Sequence, residues 1–360
     1  MLAFIFALII QVHAGESINA ALDSARAVYA AHGERTTIFL EPGTYQEQLT
    51  IDVPGIKLKS SSYKQPAIIT WYYGHGYQYR SMGDSINYGG RRTRRWNASV
   101  LVTAPDFYAE HIIFENSFNL YVSEKEAADS LYILPEYTAH EMPVRPKEIG
   151  STVVGQRKYR ERAAAISFTE TATNAHLKNC MAIGRQDVVY GDQGASVWWE
   201  RGVLSGGVDF IFGAMTFVAD HTTIVANITD EQGEKCYISA GRSGSDGKGN
   251  PIDTPTRGML FYHCRIKSPV PGSVWLARPW RAWGETVWAY TTWDEGVLNP
   301  EAWSLGLIQK RAEFNPENPC PKSYEYKSQD RSLGRPKWVT VLQRPVLPDR
   351  KRITPKAWLR

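Results

Sequence analysis

The chain has 360 residues, with 41 Lys and Arg against 37 Asp and Glu, a formal charge of +4 and 43% hydrophobic residues. So small a charge gives no argument for nucleic-acid binding but leaves a polyanionic substrate open, and the apolar fraction is enough for a sizeable core. The 12 Trp and 19 Tyr suit either a sugar-binding cleft or core packing. In chain order, the first feature is a short apolar run at residues 2–10, followed by Val12 and Ala14 at the spacing of a small-residue cleavage site. It reads as a secretory leader over 1–14, with a buried first strand as the alternative. The run is too short to span a bilayer, and no later segment is long or apolar enough to be transmembrane. A helix is predicted over 17–31, N-capped by Ser17, with Ile18, Ala21, Leu22, Ala25 and Val28 on one face. Such a helix would cover the open end of the first coil of the repeat that follows.

That repeat is weak but recurrent. A polar pair, then an often small residue, then apolar residues recur at Glu110-His111, Lys178-Asn179, Glu200-Arg201, Asp220-His221 and Tyr262-His263. The second residues of these pairs lie 68, 22, 20 and 42 positions apart. The 42 reads as two coils of about 21 and the 68 as about three with an irregular insertion. Short apolar strands with this period and no helical periodicity predict a β-solenoid, and a parallel β-helix over a leucine-rich repeat because the Leu-x-x-Leu-x-Leu signature is absent.

Residues 71–100 and 120–162 break the pattern and read as long loops on the binding side; the first contains the basic cluster 91–95, a solvated loop or a contact for acidic polysaccharide. The tail 318–360 is predicted to pack along the outside, and residues 15–360 form one domain. Cys180, Cys236, Cys264 and Cys320 lack the CxxC spacing of a zinc site and, in an exported protein, allow two disulfides in three connectivities. Asn97 and Asn227 begin glycosylation sequons.

The chain has no HExxH, Walker loop or GxSxG elbow, and 241–249 reads as a turn between coils rather than a phosphate loop. What remains is a set of polar residues embedded in apolar strands. Asp209 sits in Gly207-Val208-Asp209-Phe210-Ile211-Phe212-Gly213, where an ionised carboxylate needs a partner. Asp187, in Gln186-Asp187-Val188-Val189-Tyr190, lies 22 residues earlier, which is one coil. In register, the two carboxyls would face each other across neighbouring rungs, which drives their pKa values apart into an acid and a base or nucleophile. Leu276-Ala277-Arg278-Pro279-Trp280-Arg281 supplies a guanidinium to hold one carboxylate and a Trp as a sugar platform.

These three motifs, with weaker matches at Gly43-Thr44-Tyr45, Phe114-Glu115-Asn116, Ala240-Gly241-Arg242 and Asn299-Pro300, resemble those of the pectin methylesterase family, in the same order and at similar spacing, over roughly residues 36–305. The resemblance implies a right-handed parallel β-helix and metal-free, cofactor-free hydrolysis of methyl esters on pectin. By it, Asp209 attacks the ester carbonyl, Asp187 is the acid and base, Gln186 donates to the oxyanion, Arg278 holds the nucleophile, and Trp280, with Phe210, Tyr190 and Arg281, contacts substrate. A second oxyanion glutamine is usual in the family one coil before Gln186; alignment through Cys180 puts Ala164 there, which leaves Gln156 from the insertion as a substitute donor.

The expectation is therefore a secreted, monomeric hydrolase acting on acidic plant cell-wall polysaccharide, without nucleic-acid or membrane partners. The alternatives are an esterase or thioesterase of the same fold acting on another ester, a non-catalytic polysaccharide-binding solenoid, and a polysaccharide lyase, whose calcium-binding carboxylate cluster is not seen in the sequence.

Overall fold

Strands of three to six residues with one apolar face cannot stand alone, and in this chain they stack. The computed structural model describes residues 8–75, 77–82, 97–133, 145–154, 162–228, 233–246, 248–253, 256–306, 308, 322–328 and 335–360. Among the described residues, three parallel sheets of 11, 8 and 7 strands run side by side. Each coil contributes one strand to each sheet in turn, as in Ser196–Glu200, Val203–Gly206 and Val208–Gly213. This is the parallel β-helix that the repeat predicts.

The recurring polar pair is the corner between the 11-stranded and 8-stranded sheets. His111, Asn179, Arg201, His221 and His263 all have φ between 50° and 57°. One left-handed residue turns the chain, and the second sheet resumes one or two residues later. The corners stack outside the coil: the rings of His221 and His263 lie 4.9 Å apart and nearly parallel, and His263 continues onto Tyr290 at 4.6 Å.

The coil count differs from the sequence expectation in two places. Tyr108–Glu110 pairs directly with Ala175–Lys178, so the 68-residue interval is one coil with a large insertion, not three. Thr216–Asp220 likewise pairs directly with Met259–Tyr262, so the 42-residue interval is one coil. Spacing counts residues whether they lie in the rung or in a loop that leaves it.

Inside the coil, register partners form ladders. Leu58, Ala109, Leu177, Trp199, Ala219, Phe261 and Trp288 follow one another up the 11-stranded sheet, each fully buried. Phe261 and Trp288 stack at 3.9 Å between ring centres. The next partner of Trp288 is Glu325, a buried carboxylate that accepts from Trp303 Nε1 and pairs with Arg335. The ladder thus ends on a charge that is satisfied.

The N-terminal end is closed as expected. A helix over Ile18–His32 is capped by Ser17, ends on left-handed Gly33 and buries Ile18, Ala21, Leu22 and Ala25, with Val28 only half-buried. Its first turn is tied to the coil by Glu47, which accepts from the Ile18 and Asn19 N–H groups at 2.9 and 3.1 Å and from Ser17 Oγ at 2.9 Å. A carboxylate is favoured there because the free N–H groups of a helix start carry partial positive charge.

Leu8–Val12 is a strand, parallel to Thr36–Leu40 over five register pairs, and Val12 is in the core. A boundary after residue 14 would follow this strand. The tail also differs in part: Lys322–Tyr326 and Val339–Val341 extend the 11-stranded sheet. Only beyond them does the chain run outside, where Leu347, Ile353 and Trp358 cover Val218, Leu260 and Val287.

Two disulfides would need all four cysteines. Cys180 and Cys264 are free, buried thiols, each pushed up to about 12 by burial, so that pattern does not form. Cys320 lies outside the described residues. Asn97 is 1% exposed and donates to the Gly74 carbonyl, which closes the first sequon to a glycan; the Asn227 amide is half-buried and donates to the Gly184 carbonyl. Among the described residues no helix is long and apolar enough to cross a membrane.

Replacing Glu47 with Ala should cost about 1 kcal/mol of stability by opening the helix start. Urea denaturation of E47A and wild type checks this; equal midpoints would contradict the role given to Glu47.

Candidate active site

The site forms at one corner of the coil, where the chain passes from the 8-stranded to the 7-stranded sheet. Four successive coils use that corner differently. In the first two it carries the long insertions, between Ala67–Trp71 and Val100–Val102 and then between Ile112–Asn116 and Ile166–Phe168. In the next two it carries Asp187 and Asp209. The insertions therefore stand as a wall beside the carboxyl pair.

The wall is built rather than loose. Tyr77–Tyr79 pairs antiparallel with Leu131–Ile133. Tyr72, Tyr73, Tyr79, Met82 and Phe118 make an aromatic core of their own. Glu126 and Arg145, each 5% exposed, pair at 2.7 Å, and Tyr79 also donates to Glu126. Residues 91–95 and Gln156 lie outside the described residues.

Asp187 and Asp209 are both left-handed, at φ 60° and 49°, a conformation that Asp tolerates better than most residues. Gln186 pairs with Val208 and Val189 with Ile211, so the two carboxyls occupy the same place on adjacent rungs. Neighbouring rungs are about 4.8 Å apart. Beyond Asp209 the register slips: Val208 pairs with Tyr237 and Ile211 with Ser239, so Asp209 and Phe210 together face one residue of the next strand. This β-bulge re-aims the Asp209 side chain.

The environments of the two carboxyls differ. Asp187 is 4% exposed, and burial first, then the Asp209 charge, raise it well above the usual carboxylate range, with Arg162 and Arg278 opposing. Asp209 is more open and accepts a two-pronged contact from Arg278, Nε to Oδ1 at 3.0 Å and Nη2 to Oδ2. The guanidinium lies 4.2 Å from the Tyr237 ring centre. Its stem passes Gly306, where an added Cβ would stand 2.5 Å from Arg278 Cγ. The pair is thus an acid beside a carboxylate, with the positive charge on the carboxylate side.

The aromatic residues are arranged differently from expectation. Phe210 is fully buried in the coil core and contacts no cleft, because the residue after the left-handed corner turns inward. Phe212 takes the outer place and packs on Tyr190 at 4.8 Å and Trp280 at 5.8 Å. Tyr190 is itself 4% exposed and donates to Asp192, so it lies beneath the surface. Trp280 and Arg281 are half-exposed, with Arg242 and Arg281 guanidinium carbons 5.3 and 5.2 Å from the Trp280 ring. Sequence reasoning missed Tyr237, which carries no motif, and Phe212, which the inward turn at Phe210 would have indicated.

Ala164 is not beside Gln186. It is fully buried, and its carbonyl accepts from Asn116 Nδ2 and the Ser99 N–H. The residue paired with Gln186 on the preceding rung is Arg162. Counting back from Cys180 passes through the turn at 169–174, whose length the count took for granted. Among the described residues no group of three or more His, Cys, Asp or Glu is placed to hold a metal ion.

A family model described as Pectinesterase matches residues 154–310, the stretch that holds every residue of this cluster. Residues 154–310 are thus similar to the pectinesterase family. Pectinesterase 31 of Arabidopsis thaliana is 29% identical over 202 residues, 56% of this chain and 47% of that one. Arabidopsis thaliana relatives that match over most of this chain are likewise spanned for only 64% and 66% of their length. Among solved structures, the pectin methylesterase from carrot superposes with TM-score 0.65 at 18% identity, covering 98% of this chain and 92% of that one. The pectin methylesterase from Yersinia enterocolitica gives 0.62 at 24% identity, covering 91% and 94%. These likenesses establish the parallel β-helix.

Because Asp187 is raised in the folded protein, its favourable acid form is fully present below the ordinary carboxylate range. Its stabilising effect is lost as pH rises through the raised value. Asp187→Asn should therefore gain stability relative to wild type as pH rises, while losing about 10²–10⁴-fold of any esterase rate for want of a transferable proton. Urea midpoints across pH test the first part; a constant difference between the two proteins would contradict the raised acid.

Proposed function

We propose that this protein hydrolyses the methyl esters of pectin, releasing methanol and leaving galacturonate carboxylates. The observation that carries the reading is the rung-paired Asp187 acid and Arg278-held Asp209 carboxylate. A non-catalytic binding surface has no use for a buried acid beside an ion-paired carboxylate, whereas acyl transfer needs both. The similarity of residues 154–310 to the pectinesterase family supports the substrate class.

In the proposed reaction an Asp209 oxygen bonds to the carbonyl carbon of the ester, and the carbonyl π electrons move onto oxygen. Gln186, one rung before, is the proposed side-chain donor to that oxyanion. Collapse re-forms the carbonyl and expels the methoxy group, which leaves as methanol with the Asp187 proton. The ionised Asp187 then takes a proton from water as its oxygen attacks the acyl carbon. The second collapse frees the Asp209 carboxylate and the acid product, so one ester and one water give one acid and one methanol. Arg278 offsets the charge that Asp209 regains.

Trp280 is the proposed sugar platform, and Arg242 and Arg281 beside it suit a chain that carries carboxylates where it has already lost methyl groups. The substrate is a wall polymer, so the proposed place of action is outside the cell, and the protein is proposed to act as a monomer.

Methanol release from highly methylated pectin by wild type and Asp209→Ala tests the reading. Release by wild type and a loss of at least about 10³-fold in the variant is expected. No release by folded wild type between acidic and alkaline pH would overturn it.

A further inference from the structure

The most informative residue outside the motifs is Arg162. It is the last residue of the second insertion before the Ile166–Phe168 rung begins, and it pairs with Gln186 across the adjacent rung. The Ala163 N–H donates to the Gln186 carbonyl at 3.3 Å, which fixes that register. On its other side the Arg162 carbonyl accepts from the His75 N–H at 2.7 Å, so the first insertion also holds it in place. Arg162, Gln186 and Val208 therefore form one row across three rungs, and the next residues along the last two are Asp187 and Asp209.

Register partners project to the same face of a parallel sheet. Arg162, half-exposed, thus opens onto the face that Gln186 uses. Its charge is felt by Asp187, where it opposes burial ahead of Arg278, and by His75, which burial and the Arg162 charge together push down to about 3. Among the described residues, Arg162 is the cation of the wall whose charge acts on Asp187. On the other side Arg278 is committed to Asp209. Among the described residues, two guanidiniums act on Asp187, Arg278 from the nucleophile and Arg162 from a rung beyond Gln186 on the side away from it.

We propose that Arg162 is a catalytic oxyanion donor, its guanidinium joining Gln186 on the ester oxygen that becomes negative when Asp209 attacks. The proposal rests on the reaction proposed above and adds to it the second donor. A planar, permanently charged donor is well suited to a charge that exists only in the transition state and the intermediates beside it. It comes from the seam where both insertions meet the coil, so it ties the insertions to catalysis rather than to substrate grip alone.

The test compares wild type with Arg162→Met, Arg162→Gln and Arg162→Lys. Two quantities are read in each: kcat and KM for methanol release from methylated pectin, and the titration midpoint of Asp187 from its carboxyl carbon resonance. The expected result is a fall in kcat of roughly 10²–10³-fold in R162M with KM within about threefold. R162Q should lie between it and wild type, and R162K should recover part of kcat. The Asp187 midpoint should rise in R162M and R162Q and return in R162K, as removal of a facing cation requires while Asp209 and Arg278 are unchanged. Unchanged kcat in R162M, or a loss carried by KM alone, would overturn the assignment. Wild type without methanol release would overturn the proposed reaction instead. The Asp187 midpoint then still decides whether Arg162 faces the pair, and an unmoved midpoint overturns that placement. If R162M does not fold, R162Q and R162K carry the same comparison.

Discussion

Two carboxyl groups held one rung apart on a buried strand cannot both be ionised without a large electrostatic cost. The chemistry of this protein depends on how that constraint is met. Asp187 is buried, which raises it well above the usual carboxylate range, while Asp209 is more open and lies against Arg278. The asymmetry comes from the coil itself. Rung spacing sets the separation, the left-handed corners set the direction of each side chain, and the slip in register after Val208 sets Asp209 apart from its predecessor. A third coil brings the cation: the Leu276–Arg278 segment lies two rungs beyond Asp209 and reaches back over Tyr237.

The rest of the molecule protects that spacing. Ladders of fully buried side chains hold the rungs in register over the length of the coil, and a one-residue slip anywhere would turn an apolar set outward. The ends are closed by different means: a helix tied down by Glu47 at one, and a satisfied Glu325–Arg335 pair with two further rungs at the other. The insertions, which interrupt the repeat, enter at the same corner as the carboxyls. A solenoid can lengthen a corner loop without disturbing its rungs, and in this chain two consecutive coils have done so next to the site.

Much of this was legible in the sequence. The polar pairs gave the corners, because a left-handed residue between two strands is best filled by Asn, Asp or His. The interval between Asp187 and Asp209 gave the rung pairing, because both coils lack an insertion. The helix over Ile18–His32 was readable from Ser17 and its apolar face. The failures share a cause. Intervals of 68 and 42 were read as several coils because a count cannot separate rung residues from loop residues. The same weakness put Ala164, rather than Arg162, beside Gln186. The resemblance placed Phe210 against substrate, but the residue after a left-handed corner turns into the core.

The central claim is that at neutral pH the protein holds Asp187 as the acid and Asp209 as the carboxylate. Infrared difference spectroscopy of wild type against D187N and D209N reads this directly, through the stretching band of a protonated carboxyl. The account predicts a band at neutral pH that disappears in D187N and survives in D209N. A band that disappears in D209N instead, or a D187N spectrum that loses only a carboxylate, would contradict the assignment of the pair.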